Sequence, residues 1–234
     1  MQMDIIWIIL LSIGAYLLGS VPAAYLAVKW STGQDIRKIG TGKVGAANVL
    51  SSGAPKWLVV PVAIFDIGKG ALVVWIAKLI GLEAWQQATA GIFAVVGHNW
   101  SIFLGFKSGG RGVFASLGVI IMISWKMGLI ALIGPYLFAP VKQVALGVLL
   151  LLVSMPFLCY FLAGPLDIKD IDKVAFTCGL MVLAIMAILK RVVARRTELS
   201  KNVPLWKVII NRLLFDRDIS NRSMWISRRP AIKG

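Results

Sequence analysis

Apolar residues arrive along this chain in long runs separated by short polar segments. A helix rising about 1.5 Å per residue needs about 20 apolar residues to cross a hydrocarbon core about 30 Å thick. The first run, Ile5 to about Val28, meets that length, and Pro22 is expected to kink it or end its regular part. A second run, about Trp57 to Leu82, contains Asp66 and Lys69, and a third, about Ala88 to Phe106, holds the single histidine, His98. The stretch from Val113 to Leu162 divides either into two long spans or, with a turn near Trp125–Lys126, into three segments of which two are short. The pattern therefore predicts an all-α membrane bundle of about seven spans, with five or six as the alternatives.

Charge chooses between these counts. The loop KWSTGQDIRKIGTGKVGAANVLSSGAPK carries Lys29, Arg37, Lys38, Lys43 and Lys56 against Asp35, which places it in the cytoplasm and the N-terminus outside. Six spans would leave the basic C-terminus outside. Seven put Lys142 and the tail inside and the acid-bearing GPLDIKDIDK outside. The first run lacks the basic leader and small-residue cleavage site of a secretory signal and reads as an uncleaved helix. Two regions follow: a transmembrane unit over 1–190 and a basic tail over 191–234. From Lys190 onward the chain has 12 basic and 3 acidic residues, and Trp206, Ile209, Ile210, Leu213 and Leu214 recur at helical spacing. This reads as an amphipathic helix on the anionic inner leaflet, with a disordered basic extension as the alternative.

Composition agrees: 59% of the 234 residues are hydrophobic and the mean hydropathy is +0.83. The net charge of +15 sits in the connections and the tail, a membrane pattern that points to anionic lipid or phosphorylated substrates rather than nucleic acid. Cys159 and Cys178 lie in apolar runs without ligand spacing, so neither a disulfide nor a metal site is expected.

Three polar clusters interrupt the apolar plan. Gly40 to Val49, GTGKVGAANV, is a glycine-rich turn whose N–H groups suit an anion, with Thr41 and Lys43 as further donors. FDIGKG places Asp66 and Lys69 on one helix face, either as a structural pair or as part of a site. GHNWSIFLGFKSGGRGV joins His98, a proton carrier or a structural residue, to Lys107 and Arg111 around Gly109 and Gly110, a cradle suited to phosphate.

In order and spacing these segments resemble the PlsY family, bacterial membrane acyltransferases that move a fatty acyl group from acyl-phosphate to glycerol-3-phosphate. The resemblance is carried by LLGSVPAAYLAVKWSTGQDIRKIGTGKVGAANVL, FDIGKGALVVW and GHNWSIFLGFKSGGRGVFASLG, over about residues 15 to 119. It implies seven helices, a multi-pass protein of the bacterial plasma membrane, no cofactor, and a cytoplasmic site for acyl-phosphate and glycerol-3-phosphate. Thr41, Asn48, His98 and Arg111 are the implied catalytic set. Gly42, Lys43, Gly45, Asp66, Lys69, Gly70, Lys107, Gly109 and Gly110 are implied to bind substrate.

The chain departs from that family's pattern at several positions. Thr41 stands for a serine, Lys43 for an asparagine, Ala47 for a threonine, Ser51 for an arginine, Arg111 for a lysine and Phe114 for an alanine, and Ser108 is additional. The family's later Arg-His pair and asparagine meet ILKRVVARRTELSKN, which has no histidine and lacks the asparagine at its place. Lys43, Arg191, Arg195 and Arg196 are the candidates to replace the lost charge. Two other readings stay open: a family member that has lost catalysis and serves as a lipid-binding or partner protein, and a transporter suggested by the charges at Asp66 and Lys69.

Overall fold

The computed structural model describes residues 2–194 and 196–227, the backbone alone at 2–4 and 226–227. Arg195 and the end of the tail from 228 lie outside the described residues. Every regular element among those described is helical, as the apolar pattern predicts.

The first span is broken. Helix α1 (Gln2–Ser20) stops before Pro22 and the chain resumes as α2 (Ala23–Thr32). Proline has no N–H to donate and disfavours the helical conformation in the residue before it. The break frees carbonyls at membrane depth, where an unsatisfied polar group costs several kcal/mol. Two side chains from elsewhere meet them: Ser101 Oγ donates to the Ser20 carbonyl at 2.5 Å and Lys69 Nζ to the Val21 carbonyl at 2.6 Å.

A short helical turn, α3 (Ala46–Val49), precedes the long helix α4 (Val59–Leu79). Helix α5 (Ala84–Asn99) begins in a capping box in which the Glu83 and Gln86 side chains exchange backbone hydrogen bonds. It ends at Asn99 rather than near Phe106, because the chain turns at Trp100 and makes a 3-10 turn over Ile102–Leu104 that Gly105 closes at φ 65°. The apolar stretch after it is divided at Ser124. Helix α6 (Val113–Ile123) meets this extended residue, whose Oγ accepts the Met127 N–H and starts α7 (Trp125–Ile133). The division falls beside the turn expected near Trp125–Lys126. Helices α8 (Val144–Phe161) and α9 (Lys173–Val192) are long and antiparallel neighbours, and α10 (Leu205–Phe215) and α11 (Arg222–Ser227) are the last of the described helices.

Among the described residues, four segments are long and apolar enough to cross a bilayer: Ile5–Thr32, Lys56–Leu79, Val144–Phe161 and Lys173–Val192. Helix α5 and the shorter apolar helices α6 and α7 are packed among them. Large apolar side chains such as Ile9, Ile13, Ile64, Trp75, Phe157 and Ile185 point outward, an exposure suited to lipid. The interior is tightened by glycines at two crossings. A Cβ at Gly19 would strike the Ala94 carbonyl and one at Gly97 the Tyr16 carbonyl, so α1 and α5 touch backbone to backbone. The same reciprocity joins α4 to α6 through Gly70 against Ala115 and Gly118 against Ile67.

Gly118→Leu is accordingly expected to lower the thermal midpoint of the detergent-purified protein, by the equivalent of about 1–3 kcal/mol of overpacking. Gly14→Leu, at a position where a Cβ meets nothing within 4 Å, leaves it in place. Intrinsic fluorescence melting of both variants checks this.

Candidate active site

The first glycine-rich loop is folded around one side chain. Asn48, buried on α3, accepts the Thr41 N–H at its Oδ1 (3.0 Å). Its amide donates to the carbonyls of Ile39 (3.0 Å), Lys43 (3.0 Å) and Ile36 (3.3 Å). Gly40 and Gly42 take positive φ values of 54° and 68° to close the turn, and at Gly40 a Cβ would collide with Asn48 Oδ1. The loop then touches the third polar cluster directly, since the Val44 N–H donates to the Gly109 carbonyl at 3.3 Å.

Behind these loops sits a buried ionic chain. Lys69 Nζ lies 2.8 Å from Asp66 Oδ1, and the same oxygen is 3.4 Å from His98 Nδ1. The opposite ring nitrogen, Nε2, faces Gly110, where any Cβ would overlap the ring. Gly110 also donates its N–H to the His98 carbonyl at 3.1 Å. The helix break, the Asp66–Lys69 pair, the histidine and the glycine loop are thus linked through consecutive contacts.

In front of the histidine opens a cavity of about 420 Å³. One end is polar, with Thr41, Lys43, Asn48, Asp66, His98, Arg111, Arg191 and Asp216 on its wall. The other is an apolar arm between α6, α7 and α8, formed by Phe114, Leu117, Ile120, Leu132, Tyr136, Val148, Leu151 and Leu152. Leu132 and Tyr136 at its edge are exposed on the outside of the bundle. Burial, reinforced by Arg111 and Arg212 nearby, lowers the Lys43 ammonium to about 8. The polar end brings Lys43, Arg111 and Arg191 together with the carboxylates of Asp66 and Asp216. Asp216, the C-cap of α10, supplies one carboxylate, ion-paired with Arg111 and 3.7 Å from Arg191 Nε.

Of the residues singled out in the sequence, Thr41, Lys43, Gly45, Asn48, Asp66, His98, Gly110 and Arg111 line this cavity, and five do not. Lys69 turns behind Asp66 to the Val21 carbonyl, and Gly70 serves the α4–α6 crossing. Gly42 turns the loop against the Arg37 carbonyl, Gly109 packs on the Asn99 carbonyl, and Lys107 is exposed to one side. Among the candidates for the lost charge, Lys43 and Arg191 reach the wall. Arg196 instead binds the Ser200 and Val203 carbonyls. Asp216 went unmarked in the sequence because its place depends on the docking of α10, for which the pattern LLFDRD carries no signal.

A membrane helical bundle whose cavity joins a cationic, glycine-lined end to an apolar arm defines a protein built for an amphiphile with an anionic head. Comparison with known proteins narrows this. The family model described as glycerol-3-phosphate acyltransferase matches residues 9–198. Glycerol-3-phosphate acyltransferase 5 of Dehalococcoides mccartyi strain 195 is 38% identical over 223 residues, covering 95% of this chain and 94% of the relative. The crystal structure of PlsY (YgiH), an integral membrane glycerol 3-phosphate acyltransferase, matches in its glycerol 3-phosphate form with a TM-score of 0.71 and 29% identity. That match covers 94% of this chain and 98% of the other. Its lysophosphatidic acid form matches with a TM-score of 0.69 and 27% identity over the same shares. The chain belongs to the glycerol-3-phosphate acyltransferase family, the PlsY type, and is an integral membrane acyltransferase.

Removing one member of a buried ion pair leaves the other uncompensated, at a cost of about 3–5 kcal/mol. Asp66→Leu is therefore expected to destabilise the protein more than the double variant Asp66→Leu with Lys69→Met. Thermal midpoints of the three proteins decide it, and equal losses would refute the coupling.

Proposed function

We propose that the polar end of this cavity carries out acyl transfer from an acyl-phosphate to glycerol-3-phosphate, giving lysophosphatidic acid and inorganic phosphate for phospholipid synthesis. The observation that carries the reading is the cavity itself, where Arg111, Lys43 and the Gly110 loop adjoin an arm fit for a fatty chain. Each methylene buried there contributes about 0.8 kcal/mol to holding the donor. The exposed edge at Leu132 and Tyr136 supplies an entrance from the lipid.

The chemistry asks little of covalent catalysis. The glycerol hydroxyl attacks the acyl carbonyl carbon, the bond from that carbon to the phosphate oxygen breaks, and the hydroxyl proton leaves on the phosphate. Because phosphate departs readily, orienting the two substrates and stabilising developing charge supply the acceleration. Arg111 and Lys43 hold the phosphate groups, with the Gly110 loop beside them and the Thr41 hydroxyl as a further donor. Asn48 fixes the first loop, and Asp66 fixes the His98 ring that supports the second. Arg191 and Lys43 take over the charge lost where the family's arginine is Ser51.

The reading extends to place and partners. The cavity faces the cytoplasm of a bacterial plasma membrane, with the N-terminus outside and 1–190 as the transferase unit, although α9 runs two residues past that boundary. The tail lies on the inner leaflet. Its helix α10 buries Val208 and Arg212 against the bundle and exposes Leu205, Trp206, Ile210 and Leu214, a stripe matched to anionic lipid once Lys207 is added.

Purified protein is expected to release inorganic phosphate from palmitoyl-phosphate and form lysophosphatidic acid only when glycerol-3-phosphate is present. Arg111→Ala should reduce kcat/KM by about 10²-fold or more. A folded wild-type protein with no turnover above a heat-inactivated control would refute the reading.

The Lys43 ammonium is charged below about pH 8 and neutral above it. Attraction for phosphate is lost as pH climbs through that value, so kcat/KM should fall there. Lys43→Arg, whose charge persists, should move the fall to higher pH. A pH profile of both proteins measures the shift.

A further inference from the structure

The carboxylate of Asp216 stands where an anion belongs. It is ion-paired with Arg111, which also donates to the Asp216 carbonyl at 3.3 Å, and its Oδ1 lies 3.7 Å from Arg191 Nε. That oxygen is buried and makes no hydrogen bond. The side chain lines the same cavity as Thr41, Lys43 and His98. A two-oxygen monoanion thus sits beside Arg111 and Arg191 with one of its oxygens unbonded, whereas a phosphate brings more charge and more acceptor oxygens.

Its placement is built by the fold. Asp216 takes the left-handed conformation at φ 58°, uncommon outside glycine but tolerated by aspartate, and this turns its side chain off the end of α10 toward the cavity. The backbone on either side is fixed. Arg191 Nη1 donates to the Leu213 carbonyl at 3.1 Å and Arg212 Nη1 to the Val192 carbonyl at 2.6 Å. Asp218 is buried and receives Arg212 Nε, Ser200 Oγ and both the N–H and the hydroxyl of Thr197. Asp216 also lies beyond residues 9–198, the part of the chain that the family model matches.

We propose that Asp216 is an internal competitor for the phosphate position, so that every phosphate-bearing ligand binds by displacing its carboxylate from Arg111 and Arg191. This rests on the reading of the cavity as the site of acyl-phosphate and glycerol-3-phosphate. The carboxylate weakens all such ligands by one common factor. An acyl-phosphate, with its chain buried in the apolar arm, still occupies the site, while bare phosphate, with head contacts alone, is held below occupancy. After transfer, the returning carboxylate assists departure of the inorganic phosphate product.

The test is inorganic phosphate binding by the purified full chain in lipid nanodiscs, measured calorimetrically for the wild type and for Asp216→Asn, a nearly isosteric change that keeps an αL-tolerant residue. The variant is expected to bind phosphate about tenfold more tightly and to be more strongly inhibited by it. Unchanged or weaker binding, with the thermal midpoint retained, would overturn the proposal and leave Asp216 a structural partner of the arginines. A second measurement uses the unmodified chain. At phosphate concentrations that the calorimetry shows to fill the wild-type site, amide hydrogen exchange over residues 213–218 should accelerate, and slower or unchanged exchange there would equally overturn it. Both experiments read binding, not turnover. A chain that binds phosphate in this way but transfers no acyl group refutes the function alone, while normal turnover with unaltered binding in the variant refutes the competitor alone.

Discussion

A transmembrane helix that breaks in lipid must find donors for the carbonyls it releases, and this chain breaks its first span between Ser20 and Ala23. The remedy organises the site. Lys69 reaches the Val21 carbonyl, and its charge, intolerable alone at that depth, is balanced by Asp66. The carboxylate then sits beside His98, whose ring is covered by Gly110 of the phosphate-suited loop. Ser101, which satisfies the other carbonyl, begins the turn that leads into the same loop. A defect in one helix is therefore converted into the support for a loop contributed by two others.

The parts of this plan that were legible in the sequence are those governed by composition and local rules. Long apolar runs give a membrane bundle because lipid leaves the backbone few alternatives. Pro22 marks the break, and the glycines and cations of the first and third clusters mark the polar end of the cavity. What local rules cannot give is the direction of a side chain between elements. Asp66 and Lys69 share a helix face, yet one lines the cavity and the other turns away, because the carbonyl that holds Lys69 belongs to a residue 48 positions earlier. The end of α5 escaped for a similar reason: Ile102 and Phe103 read as further apolar span but lie in an exposed turn tethered to α1 by Ser101.

The tail is the sharpest case. Its helical spacing was visible, but its contribution to the cavity was not, because that depends on two arginines that cap each other's helices. Arg191, near the end of α9, serves a carbonyl of α10, and Arg212, on α10, serves a carbonyl of α9. Such reciprocal capping satisfies carbonyls that helix ends leave unpaired, and it fixes the angle between two elements with no contiguous sequence signature. It also places the Arg191 guanidinium on the cavity wall.

That reciprocal cap has a consequence for biosynthesis. Domains and segments form in order as a chain emerges, N-terminal parts first. The apolar arm and the glycine loops are complete once α8 has inserted, but Arg191 and Asp216 arrive only with the last fifth of the polypeptide. A nascent protein is already anchored in the bilayer while one wall of this cavity is still on the ribosome. The polar end of the cavity is thereby the last part of the bundle to close, and it closes only when α10 docks against α9 and the Arg191 and Arg212 caps form.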